Sequence, residues 1–161
     1  MVSKIMPRSL QFSRGVTLIE TLVAVAIMAM ISGVVLASLN NFRAQKTMDA
    51  AVEQVLAAFS QAHFDTISSR DDKQYGIHID TDKVVYFIGP TYTAGLSTNV
   101  VYRFVVPVEI VNISLAGGGN EVLFERLSGG TNQSGTFDVR AKSNNSLKTT
   151  VTVNGTGAIS I

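Results

Sequence analysis

Arg14-Gly15-Val16-Thr17-Leu18-Ile19-Glu20 runs directly into 19 uncharged residues, TLVAVAIMAMISGVVLASL at 21–39. About 20 apolar residues are what a helix needs to cross a bilayer. The residues before Val16 carry Lys4, Arg8 and Arg14 and no acid. Positive charge ahead of an apolar segment keeps that end in the cytoplasm, so the chain beyond residue 40 is expected outside. Two simpler readings compete. A secretory signal peptide has an apolar core of about 7–15 residues and a small-residue cleavage site. Val35-Leu36-Ala37 offers such a site, but the run is too long and holds an acid near its start. A plain signal anchor fits the length and leaves Glu20 unexplained.

An acid inside a segment fit for hydrocarbon costs roughly 2.5–3.5 kcal/mol and calls for a cation. No Lys or Arg lies one helical turn beyond Glu20, and the nearest upstream is Arg14. Cleavage after Gly15 would create an α-amino group at Val16. Val16 and Glu20 are four residues apart on one straight helix, which argues against a bond within a single chain. A neighbouring subunit can supply the amine.

Residues 14–20 resemble the class III signal of type IV pilins and type II secretion pseudopilins. That signal is a basic leader, a glycine, then an apolar residue followed by Thr-Leu-Ile-Glu. The one departure is Val16, where the family most often has phenylalanine. The resemblance implies a leader at 1–15, cut by a prepilin peptidase between Gly15 and Val16, with N-methylation of Val16. It gives Glu20 a role in assembly. It also implies a single-pass inner-membrane protein with its N-terminus in the cytoplasm, which later enters a filament. The implied partners are the peptidase, other pilin or pseudopilin subunits, an inner-membrane assembly platform and, before assembly, membrane lipid.

Composition agrees with a membrane segment joined to a polar domain. The chain has 161 residues, 46% hydrophobic and 16% charged, without cysteine and with only His63 and His78. Disulfides, thiol nucleophiles and His-rich metal clusters are thereby excluded. The precursor's net charge of +1 gives no pull toward nucleic acid. The leader holds three of 13 basic residues and none of the 12 acids, so a chain starting at Val16 has 146 residues and a net charge of −2.

The helical pattern continues past the apolar run. Met48, Val52, Val55, Phe59, Ala62 and Thr66 step by three and four, with Leu56, His63 and Ile67 alongside. Asp49, Glu53, Gln54, Gln61 and Asp65 are expected on the opposite, solvated face. The helix is expected from Val16 to about Ser69, apolar all round at 16–39 and amphipathic at 40–70. Gly33 lies in the apolar half and is either a soft point or a place of close helix packing. Many type IV pilins carry a proline a few residues further on, where this chain has Ala37.

From Gln74 the period changes to two. Tyr75, Ile77 and Ile79 alternate, residues 80–83 turn, and Val84, Tyr86 and Ile88 alternate. Further strands are expected at 100–106, 109–115, 122–127, 136–141, 147–153 and 158–161, with Gly/Asn/Ser turns between them. About eight short strands indicate one or two antiparallel sheets. The fold class is α+β: a long N-terminal helix packed on an antiparallel sheet or sandwich head at 71–161. Tyr75-Gly76-Ile77, the strand from Val84 to Phe87, Phe124-Glu125-Arg126-Leu127-Ser128-Gly129 and Asn154-Gly155-Thr156-Gly157 resemble the GspH/FimT-like minor pilins and pseudopilins. Some of these bind DNA through a basic C-terminus. Residues 155–161 hold no Lys or Arg here and do not support nucleic acid as a partner.

No motif carries catalysis, a cofactor or a metal. Gly117-Gly118-Gly119 lacks the Gly-Lys-Ser/Thr of a phosphate loop and reads as a turn. His63 is expected to pack on the head and His78 to face solvent. Asp80 and Asp82 flank a turn that could hold calcium, though the acids are few, and Asp71-Asp72 reads as a solvated helix end, with a partner contact as the alternative. The expected function is a structural filament subunit. The alternative from another class is a non-polymerising, membrane-anchored extracytoplasmic binding domain, for which an intact leader would speak.

Overall fold

The computed structural model describes residues 15–105 and 108–161. The expected leader, apart from Gly15, and Val106 of the third expected strand lie outside them. Helix α1, Leu18–Ile67, contains no proline and one glycine, Gly33. It begins two residues later than the apolar pattern suggested. The chain divides into two compact units, one ending at Leu39 and the other Asn40–Ile161.

The helix ends at Ile67 rather than Ser69 because the backbone leaves helical space. Ser69, Asp71 and Asp72 all have positive φ, at 48°, 52° and 56°. Left-handed geometry costs a non-glycine residue roughly 1–2 kcal/mol. Three side-chain bonds hold it. Arg126 Nη2 donates to Ser69 Oγ and to Asp72 Oδ1, each at 2.7 Å, and the Tyr75 hydroxyl donates to the Arg70 carbonyl at 2.9 Å. Asp71 and Asp72 are the solvated end that was expected, both exposed, and Asp72 also fastens the exit to the head through Arg126.

The Asn40–Ile161 unit holds two four-stranded antiparallel sheets. The first has the order β3-β2-β1-β5, with β1 at Tyr75–Ile79, β2 at Lys83–Ile88, β3 at Val100–Arg103 and β5 at Glu121–Leu123. The second has the order β4-β6-β7-β8, with β4 at Val108–Leu115, β6 at Gly135–Ala141, β7 at Asn144–Val153 and β8 at Ile159–Ser160. One core joins the two inner faces to the helix. Ile77, Val84 and Val122 come from the first sheet, and Ile110, Val139 and Val151 from the second. The expected helix stripe is the buried one: Met48, Val52, Val55, Phe59, Ala62 and Thr66 are all at most 6% exposed. Phe59 is the centre of it. Its ring meets Phe124 edge-on at 6.3 Å and stacks on Phe137 of β6 at 6.0 Å.

Four sequence expectations are corrected. Asp65 is buried at 3% exposure and not on the solvated face. The Tyr86 hydroxyl donates to its Oδ2 at 2.9 Å and Gln61 Nε2 at 2.7 Å, and Arg70 Nη1 stands 3.4 Å from Oδ1. Burial first, and then the Asp65 carboxylate, push the Tyr86 hydroxyl well above the usual tyrosine range. Periodicity read Asp65 as polar and therefore outside; partners 5 and 21 residues away make its burial affordable. His78 does not face solvent either. Tyr92 of the following loop stacks on it at 3.9 Å, and Glu121 Oε1 lies 3.4 Å from Nδ1, because β1 is covered on both faces.

The fifth strand stops at Leu123, and residues 124–129 form a loop over the helix end. Glu125 N–H donates to the Gly130 carbonyl and Gly129 N–H to the Glu125 carbonyl, so these groups close a turn and leave the ladder. Gly129 has φ 71°, and a Cβ there would lie 2.6 Å from His63 Nε2 and 2.7 Å from Ile67 Cγ1. Only glycine fits. The third strand ends at Arg103, three residues before the expected end, though Phe104 is buried as its alternation suggested. The hairpin of β1 and β2, the turn at the glycine triplet and the packing of His63 on Phe124 at 5.6 Å are as expected. Gly76 sits under the Phe87 ring, where a Cβ would be 2.5 Å from Cζ.

On the outer face of the second sheet, Asp138 ties three strands together. Thr150 Oγ1 donates to it at 2.6 Å, Asn112 Nδ2 at 2.9 Å and Lys148 Nζ at 3.0 Å. Asn112 is at the β4 bulge, with φ 54°, so the bond pins an irregular strand. The hydrogen bond from Thr150 first, then those from Asn112 and Lys148, lower the carboxyl to about 2. A depressed acid contributes stability above its unfolded value, near pH 4, and loses it as pH falls toward 2. The head should therefore lose about 1–2 kcal/mol between pH 4 and pH 2 through this group. In Asp138→Asn that part of the loss should vanish. Urea midpoints at several pH values check it, and parallel curves for the two proteins would contradict it.

Candidate assembly helix

Gly15, Val16 and Thr17 precede the helix. Thr17 is its N-cap: its carbonyl accepts the first helical bond from Thr21 N–H at 3.2 Å, and its Oγ1 accepts from Glu20 N–H at 3.3 Å. Thr-x-x-Glu is also the spacing of a capping box. The Glu20 carboxylate is exposed in the first turn, where the positive end of the helix dipole favours it. No ion pair to Glu20 occurs among the described residues, and Arg14 lies outside them. Val16 is 70% exposed, and no atom of the described residues lies within 4 Å of where a Gly15 Cβ would be.

The helix from Leu18 to Leu36 has no core of its own. Every large apolar side chain in it is between 49% and 80% exposed. Its two hydroxyls are satisfied locally, as hydrocarbon requires: Thr21 Oγ1 donates to the Leu18 carbonyl at 2.8 Å and Ser32 Oγ to the Met28 carbonyl at 2.7 Å. Gly33 sits in unbroken helix with open space beside it. The helix is long and apolar enough to cross a membrane. Such a surface demands lipid or other helices around it.

Asp80 and Asp82 spend their charge on cations: Lys83 Nζ is 3.1 Å from Asp80 Oδ2, and Arg103 pairs with Asp82. The hydrogen bond from Lys83 lowers the Asp80 carboxyl. No group of three or more His, Asp or Glu gathers for a metal among the described residues. The polar clusters around Asp65 and His78 were not legible from periodicity, because their partners come from distant strands.

Residues 11–36 match the family model described as the prokaryotic N-terminal methylation motif. The fold resembles the type IV minor pilin FimU of Pseudomonas aeruginosa strain PAO1. The TM-score is 0.52 at 15% identity, over 70% of this chain and 90% of that one. No curated protein matches the chain. The chain thus carries an N-terminal methylation motif at 11–36 and a fold like that of a type IV minor pilin, a long helix with antiparallel sheets.

Proposed function

We propose that this chain is a structural subunit, a minor pilin or pseudopilin, of a type IV pilus-like or type II secretion filament. The observation that carries the reading is the joining of residues 14–20 to a helical stretch, Leu18–Leu36, whose large apolar side chains are all exposed. A prepilin peptidase cuts between Gly15 and Val16 on the cytoplasmic side and Val16 is N-methylated. Before assembly residues 16–39 lie in the inner membrane, with the head outside. In the filament they bundle with the same helices of other subunits, delivered through an inner-membrane assembly platform. Gly33 leaves room there for a neighbouring helix or for local softening. The role is structural and involves no catalysis.

Glu20 supplies the docking register. Among Leu18, Ile19, Leu22 and Val23 its carboxylate needs neutralising once water is excluded. The Val16 amine of an adjacent subunit lies at the same depth. Glu20→Gln removes the charge at nearly constant volume and leaves the N-cap at Thr17 in place. Export, cleavage and head folding should be unchanged while incorporation into sheared filaments falls. Equal recovery of wild-type and mutant subunits from filaments would sink the charge pair. N-terminal mass spectrometry of the native chain tests the maturation step, since an intact leader would favour a non-polymerising anchor.

A further inference from the structure

A cavity of about 430 Å³ lies within the Asn40–Ile161 unit, between the first turns of that unit's helix and the β6–β7 hairpin. Asn40, Asn41, Arg43, Gln45, Ser143 and Asn144 supply its polar lining, and no acid is among the residues around it. Leu147 forms an apolar wall. Arg43 is exposed and has no acidic partner among the described residues. A guanidinium surrounded by amides and a hydroxyl is a donor set for an oxyanion, and phosphate suits it best.

The placement in the sequence says which phosphate. The uncharged run 21–39 would rise about 28 Å as a helix, close to the hydrocarbon thickness of a bilayer. Asn40 is the next residue, so 40–47 falls at headgroup depth. Phe42 is 59% exposed beside it, and Lys46 Nζ stands 5.8 Å from its ring centroid. Exposed aromatics and long cations of this kind collect at membrane interfaces. Lys142, next to Ser143 in the hairpin, is a third cation nearby, but it stands 4.0 Å from Glu109 Oε2 and Lys46 stands 3.8 Å from Asp49 Oδ2, which leaves Arg43 as the cation without an acidic partner among the described residues. We propose that this cavity binds the phosphodiester of a net-anionic lipid headgroup, so that the head is seated on the membrane before the subunit is extracted. The proposal rests on the membrane reading of residues 21–39.

The full chain in lipid nanodiscs tests it, with hydrogen exchange read at residues 142–147. Discs of phosphatidylcholine are compared with discs holding about one-third phosphatidylglycerol. One arginine near an anionic surface slows exchange by about fivefold in the anionic discs. Arg43→Gln should remove that difference and Arg43→Lys should keep most of it. Arg43 is exposed, so the rest of the head should exchange as in wild type. Equal exchange of the wild type in both discs, or an unchanged response in Arg43→Gln, overturns the site. Equal slowing by inorganic phosphate in phosphatidylcholine discs would overturn the lipid source and leave a soluble anion as ligand. Slow exchange at 21–39 in both discs shows the span inserted whatever the cavity does. Fast exchange there overturns the membrane reading and the headgroup assignment with it.

Discussion

Gly15→Val should leave a full-length precursor in the membrane and no detectable chain beginning at Val16. In the proposed maturation the peptidase closes on a residue without a side chain at the scissile bond. Among the described residues nothing opposes the change, since no atom of theirs lies within 4 Å of a Cβ at position 15. Val16 beside it is 70% exposed, and the helix starts only at Leu18. Loss of processing would therefore report on the enzyme's fit and not on a misfolded substrate. An unchanged urea midpoint for the head controls for that. Immunoblotting of membranes, with N-terminal mass spectrometry of the product, reads the outcome. Accumulation of mature chain at the wild-type level would remove the basis for assigning cleavage to this bond.

Phe59→Ala should destabilise the head by about 3–5 kcal/mol, the range for emptying a buried aromatic site. That is a large share of the roughly 5–15 kcal/mol that holds a domain folded. Phe59 is completely buried and its ring touches Phe124 and Phe137, so the cavity would open where the helix and the second sheet meet. The fragment 44–161 suits the measurement, because the buried apolar residues run from Met48 to Val153. It should be soluble and monomeric without the exposed half-helix. A urea titration decides. A midpoint shift near zero would place the stripe from Met48 to Thr66 in solvent.

The candidate site was legible in the sequence because it is local. Thr17, Glu20 and the 19 uncharged residues after them act through contiguous chain, and a helix expresses its pattern without help from elsewhere. The same holds for the step-by-three-and-four stripe from Met48 to Thr66 and for the period-two hairpin of β1 and β2. In each case the apolar side chains themselves choose which face is buried, and a fixed backbone period turns that choice into a readable pattern.

What only the tertiary structure decided depends on partners far apart in the chain. Asp65 is inside because Tyr86, 21 residues on, and Arg70 meet its carboxylate. His78 is covered because a loop lays Tyr92 over it, and alternation cannot see a second layer on the outer face. Residues 124–129 have strand-like composition yet turn away. His63 and Ile67 crowd the backbone there and only Gly129 fits beneath them. The helix ends at Ile67 in a left-handed exit that Arg126 and Tyr75 hold from elsewhere in the chain. Hydrophobic period is a one-dimensional signal and survives in the sequence. Burial of a charge, a stacking loop and a strained turn are settled by which groups arrive from elsewhere, and that exists only once the sheets have closed on the helix.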